Sequence, residues 1–91
     1  VPNDPSFGAQ YGLQRIQAPQ AWDGWLPQSP VLVAVIDSGV QVNHPDLADS
    51  LARDAGGNVL GFNTFNGTAQ VNDDHGHGTH CTGIVGARTH N

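Results

Sequence analysis

Val31-Leu32-Val33-Ala34-Val35-Ile36-Asp37-Ser38-Gly39 is the stretch on which the reading of this chain turns. An unbroken apolar run dominated by β-branched residues is the pattern of a strand buried on both faces of a parallel sheet. The run stops abruptly at Asp37-Ser38-Gly39, a turn signal. Open α/β sheets present functional groups at the carboxyl ends of their strands, so the position of Asp37 suits a catalytic role. From position alone, an aspartate capping the turn through Ser38 and Gly39 fits equally well.

Upstream, Val1 to Gly12 carries Pro2, Asp4, Pro5 and Gly8 and predicts an irregular arm. Leu13, Ile16, Ala18, Ala21 and Trp22 recur at helical spacing and predict two short helical turns interrupted by Pro19. Downstream, His44-Pro45-Asp46 marks a turn and Leu47 to Leu51 suits a short helix. Val59, Leu60, Phe62 and Phe65 suggest a second strand, and a polar loop runs through Asp73-Asp74. Thr79 to Ala87 reads as a helix of small and apolar residues, with Cys81, Ile84, Val85 and Ala87 sharing a buried side. Gly83 and Gly86 weaken it in isolation and call for tight packing.

The totals restrict the function. At 91 residues, the chain is at most one small domain of marginal independent stability. A hydrophobic fraction of 37% with 12% charged residues excludes the charge-rich disordered class. The net charge of −5 arises from eight acidic residues against three basic ones, with no electrostatic footprint for nucleic acid or anionic lipid. No apolar run approaches the roughly 20 residues needed to span a bilayer. The single cysteine, Cys81, excludes an internal disulfide, so stability must come from packing, a metal or a partner. The absence of Met suggests a mature or excised chain.

Chemistry concentrates in Asp74-His75-Gly76-His77-Gly78-Thr79-His80-Cys81. Glycines on both sides of His77 let the backbone and a peptide substrate approach closely. A helix start disfavours the imidazolium, and a buried aspartate restores the balance by fixing the tautomer and stabilising the charge formed when the ring accepts a serine proton. The competing pattern is H-x-H-x-x-H, in which His75, His77 and His80 bind a metal such as Zn or Cu and make the chain a metal-binding module. A non-catalytic fragment is the third possibility.

Val33-Ala34-Val35-Ile36-Asp37-Ser38-Gly39-Val40, His44-Pro45-Asp46-Leu47 and His77-Gly78-Thr79-His80-Cys81-Thr82-Gly83 together resemble the aspartate and histidine signatures of the subtilisin-like serine proteases. The order, aspartate before histidine, is also that family's. The resemblance implies an α/β fold, of which residues 1–91 form the N-terminal third of a three-layer catalytic domain with a mostly parallel sheet. It implies a secreted serine endopeptidase acting on protein or peptide through an Asp-His-Ser triad, with Asp37 orienting the imidazole and His77 as general base and acid. His80 is then structural, one turn into the helix, and Cys81 sits beneath the catalytic histidine. The serine-bearing turn of the family is absent, and Ser6, Ser29, Ser38 and Ser50 lack its context. The nucleophile is therefore expected on a second polypeptide, with residues 1–91 alone inert and poorly folded.

The same resemblance places Ca²⁺ at Asp4 and Asp46, with the main chain of Arg88 and the side chain of Asn91 as further ligands; oxygen donors of this kind suit Ca²⁺. A second calcium site of the family, acidic in its relatives, reads here as the neutral Asn63, Asn66, Thr68 and Gln70. Asn66-Gly67-Thr68 is also a formal glycosylation sequon.

Overall fold

The computed structural model describes residues 1–25 and 29–90. The chain divides into two compact units, Val1–Val31 with Thr89–Asn91 and Leu32–Arg88.

In the first unit the arm is more regular than its prolines and glycine suggest. Phe7 N–H bonds the Asp4 carbonyl and Ala9 N–H the Ser6 carbonyl, both at 3.0 Å, winding a 3₁₀ turn over Phe7–Ala9. Helix α1, Tyr11–Arg15, and helix α2, Ala18–Asp23, follow. The break between them lies at Gln17, whose φ is 59°, and not at Pro19. Pro19 instead occupies the first turn of α2, where a missing N–H costs no intrahelical bond and a fixed φ favours the helix. The rings of Phe7 and Trp22 meet at a tilt, 6.3 Å apart. The Asp4 carboxylate accepts a hydrogen bond from His90 N–H at 3.0 Å.

In the second unit, the predicted strand through Ile36 joins no ladder among the described residues. Leu32 is 77% and Ile36 97% exposed. A strand exists only where neighbours take up its N–H and C=O groups, and the described residues offer this segment none. Among the described residues parallel pairing is confined to an isolated bridge, Val40 to Asn72. There Val40 N–H bonds the Val71 carbonyl at 2.9 Å and Asp73 N–H the Val40 carbonyl at 3.1 Å.

The expected strand from Val59 to Phe65 resolves into two isolated antiparallel bridges, Arg53 to Val59 and Asn63 to Thr68. Side chains turn the chain at both places. The Asp54 carboxylate accepts from the N–H groups of Gly56 and Asn58 at 2.9 and 3.0 Å, and Asn63 Oδ1 accepts from Phe65 N–H at 2.9 Å. Asn63, Asn66, Thr68 and Gln70 thus bond within one turn, where Thr68 Oγ1 donates to Asn66 Oδ1 at 2.7 Å.

A 3₁₀ turn over Ala48–Ser50 replaces the short helix expected from Leu47, and Leu47 itself is 2% exposed. Helix α3 runs His77–Gly86 and so begins before Thr79. Cys81 is half-buried, but Ile84 and Val85 are exposed, because nothing among the described residues covers that face. Val40 and Leu47 are the buried hydrophobic side chains of the described residues. No described helix is long and apolar enough to cross a membrane.

Candidate active site

The site forms where the turn after Asp37 meets the first turn of α3, wholly within the second unit. Two glycines make the approach possible. Gly39 adopts φ +114°, and a Cβ there would lie 2.5 Å from the Val71 carbonyl oxygen. A Cβ on Gly78 would run into the Gly39 carbonyl oxygen. Any larger residue at either position forces backbone apart from backbone.

The approach is fastened by polar groups. Ser38 Oγ accepts from Gly78 N–H at 2.9 Å and donates to Asp73 Oδ1 at 2.9 Å. The same Asp73 oxygen accepts from the N–H groups of His75 and Gly76, each at 2.9 Å. Asp73 Oδ2 accepts from Thr79 N–H at 2.9 Å and from Thr79 Oγ1 at 2.6 Å. Thr79 Oγ1 in turn accepts from Gln41 N–H at 2.9 Å. These partners hold the Asp73 carboxyl far below the usual carboxylate range, chiefly Gly76 N–H, then the Thr79 hydroxyl, then His75 N–H. Sequence reasoning passed over Asp73; its signal is an aspartate three residues before a glycine at a helix start, the spacing of a side chain that bonds nearby backbone.

Across this junction His77 Nδ1 lies 2.9 Å from both Asp37 oxygens. Ser38 N–H donates to Asp37 Oδ1 at 2.7 Å, fixing the carboxylate from behind. The Asp37 side chain is 19% exposed and that of His77 64%. The hydrogen bond from Asp37 raises the His77 pKa above its ordinary 6.5, the Asp37 charge adds to this, desolvation opposes it and the Asp73 charge supports it. Asp37 is lowered, first by His77 and then by Ser38 N–H. The carboxylate accepts a hydrogen bond from Nδ1–H, leaving Nε2 as the basic nitrogen of an accessible imidazole. Among the described residues no serine hydrogen-bonds to His77, and Ser38 Oγ is committed to Asp73 and Gly78.

Cys81, one turn along α3, places Sγ 3.7 Å from His77 Nδ1 and 4.0 Å from Nε2. The metal-capable group among the described residues is Asp37, His77 and Cys81, with ligand atoms within 4.8 Å of one another. The alternative trio of His75, His77 and His80 does not assemble. The His75 ring stands 6.5 Å from that of His77, edge to face, and His80 is exposed. Of the expected calcium ligands, Asp4 belongs to the first unit, and Asn91 lies outside the described residues. In the second unit Asp46 and Arg88 are adjacent: Arg88 N–H bonds the Asp46 carbonyl at 2.9 Å, while the Arg88 guanidinium pairs with Asp49 at 3.1 Å.

The segment that carries this aspartate and histidine also matches a known family. The model of the subtilase family matches residues 28–91, and the chain belongs to that family. It is 47% identical to thermitase of Thermoactinomyces vulgaris over 92 aligned residues, covering 100% of this chain and 30% of thermitase. Against halolysin of Haloferax mediterranei the identity is 38%, covering 98% of this chain and 17% of halolysin. Against the halolysin-like extracellular serine protease Nep of Natrialba magadii it is 33%, covering 100% and 17%. The chain thus spans less than a third of these relatives. No solved structure matches it.

Proposed function

We propose that this chain supplies the aspartate and histidine of an Asp-His-Ser triad in a secreted serine endopeptidase that cleaves protein or peptide substrates through an acyl-enzyme. The observation that carries the reading is the 2.9 Å contact of His77 Nδ1 with both oxygens of Asp37, in a member of the subtilase family. Asp37 orients the ring and stabilises the imidazolium; His77 Nε2 takes the serine proton on attack and returns it to the leaving amine. Secretion is supported by a relative named as an extracellular serine protease.

The serine belongs, in this reading, to polypeptide outside residues 1–91. Burial supports this: with Val40 and Leu47 as the buried hydrophobic side chains among the described residues, and Leu32 to Ile36 unpaired, the core that would support the site is supplied from elsewhere. Calcium is the proposed cofactor, with the carboxylate, carbonyl and amide oxygens that the resemblance names as its ligands; of these, Asp46 and Arg88 stand side by side in the second unit. An all-oxygen donor set of carboxylates, carbonyl and amide fits Ca²⁺ and not a soft metal.

The test is hydrolysis of a peptide substrate by the full-length enzyme and its Asp37→Asn and His77→Ala forms. Neutralising the aspartate should give the loss of about 10⁴ in kcat that triad enzymes show. Near-normal turnover by either variant sinks the assignment, and loss of activity on zinc removal favours metal chemistry instead.

A further inference from the structure

We propose that Asp73 is a positioning residue for the Asp37–His77 pair, clamping the turn after Asp37 to the first turn of α3 through Ser38 and Thr79. Its carboxylate accepts five hydrogen bonds, from three backbone N–H groups and two hydroxyls, and these come from both sides of the junction. Oδ1 gathers Ser38 from the turn and His75 and Gly76 from the helix approach. Oδ2 gathers Thr79 from the helix itself. The residues on either side of His77 are therefore tied to the residue that follows Asp37, and Ser38 completes the tie by accepting from Gly78 N–H. Asp73 touches neither Asp37 nor His77 by hydrogen bond; its effect passes through these neighbours.

The chemistry is specific to a carboxylate. Every partner is a donor, so the site demands acceptors on both oxygens. In Asp73→Asn one oxygen becomes an NH₂ group facing donors, and whichever way the amide turns, either the Ser38 side or the Thr79 side is broken. The Thr79 hydroxyl can turn and accept, but Thr79 N–H, a fixed donor to the same oxygen, cannot reverse its role. The consequence falls on geometry at His77 and not on substrate contacts. Misplacement of reacting groups by about 1 Å costs on the order of 10²-fold.

The kinetic part rests on the triad reading above; the spectroscopic part does not. In the full-length enzyme, Asp73→Asn should lower kcat by about tenfold to a hundredfold with KM little changed. The NMR signal of the His77 Nδ1 proton, held by Asp37 in the parent, should broaden or move upfield. Ser38→Ala should lower kcat less, and the two substitutions together should cost less than the product of their separate effects, because Ser38 is part of the same link. A folded Asp73→Asn enzyme with parental kcat and an unmoved Nδ1 proton overturns the proposal, as do fully multiplicative effects of the two substitutions. If Asp73→Asn does not fold, Ser38→Ala and Thr79→Val each remove one strut, and parental turnover with an unmoved proton in both overturns it equally. If the parent enzyme cleaves no peptide, the triad reading fails, while the proton signal of Asp73→Asn still decides whether the clamp exists.

Discussion

At His77 two influences of opposite sign meet. The start of a helix disfavours the imidazolium, yet the hydrogen bond and charge of Asp37, seconded by Asp73, carry the pKa above 6.5. A general base must be neutral to act, so the acid limb of kcat/KM in the full-length enzyme should fall above pH 6.5, and Asp37→Asn should move it downward. A pH–rate profile of both forms checks this. Stability follows the same pair. The raised His77 contributes stability in full below its unfolded value of 6.5 and loses it as pH rises through the folded value. The lowered Asp37 contributes above 3.8 and loses it as pH falls through its folded value. The melting temperature difference between parent and Asp37→Asn should thus be larger at pH 5 than at pH 9. It should be modest, because the imidazole is in contact with water.

At the scale of elements, the junction between the turn after Asp37 and α3 depends on backbone touching backbone at Gly39 and Gly78. Gly78→Ala should cost about 1–3 kcal/mol, the usual penalty of overpacking. It should lower kcat as well, since the strain separates Asp37 from His77. A melting curve and peptide turnover of the full-length variant check both; unaltered values in each contradict the packing described.

The sequence made some of this junction legible and concealed the rest. Helix α3 and the meeting of Asp37 with His77 were readable because glycine and small residues around His77 permit close approach, and Asp37 closes an apolar run. Asp73 was not, because Asp73 and Asp74 stand side by side in a polar loop and composition does not tell which one caps. The run to Ile36 reads as a strand buried on both faces, but a ladder is a property of two strands. Its partners are not among the described residues, so the pattern yields an exposed segment. Pro19 misled for a local reason: proline breaks a helix interior but suits a first turn.

For the molecule as a whole, the shortage of buried apolar side chains sets what must be added. The calcium proposed above is one addition: a ligand bound only by the folded state stabilises it by mass action, about 2.7 kcal/mol at a hundred times Kd. Chelation should lower the melting temperature of the full-length enzyme, and Asp46→Asn should blunt the response; an unchanged calcium response in that variant removes Asp46 from the ligand set. The larger addition, in the function proposed above, is polypeptide that carries the serine and covers Leu32 to Ile36. If residues 1–91 hold the base half of the proposed triad and not its nucleophile, peptide hydrolysis and circular dichroism of that chain, alone and mixed with a serine-bearing remainder of a subtilase, decide the matter. Alone it should cleave nothing and show no cooperative melting, and hydrolysis should emerge only in the mixture; a cooperatively melting monomer, or cleavage by residues 1–91 unaided, contradicts this.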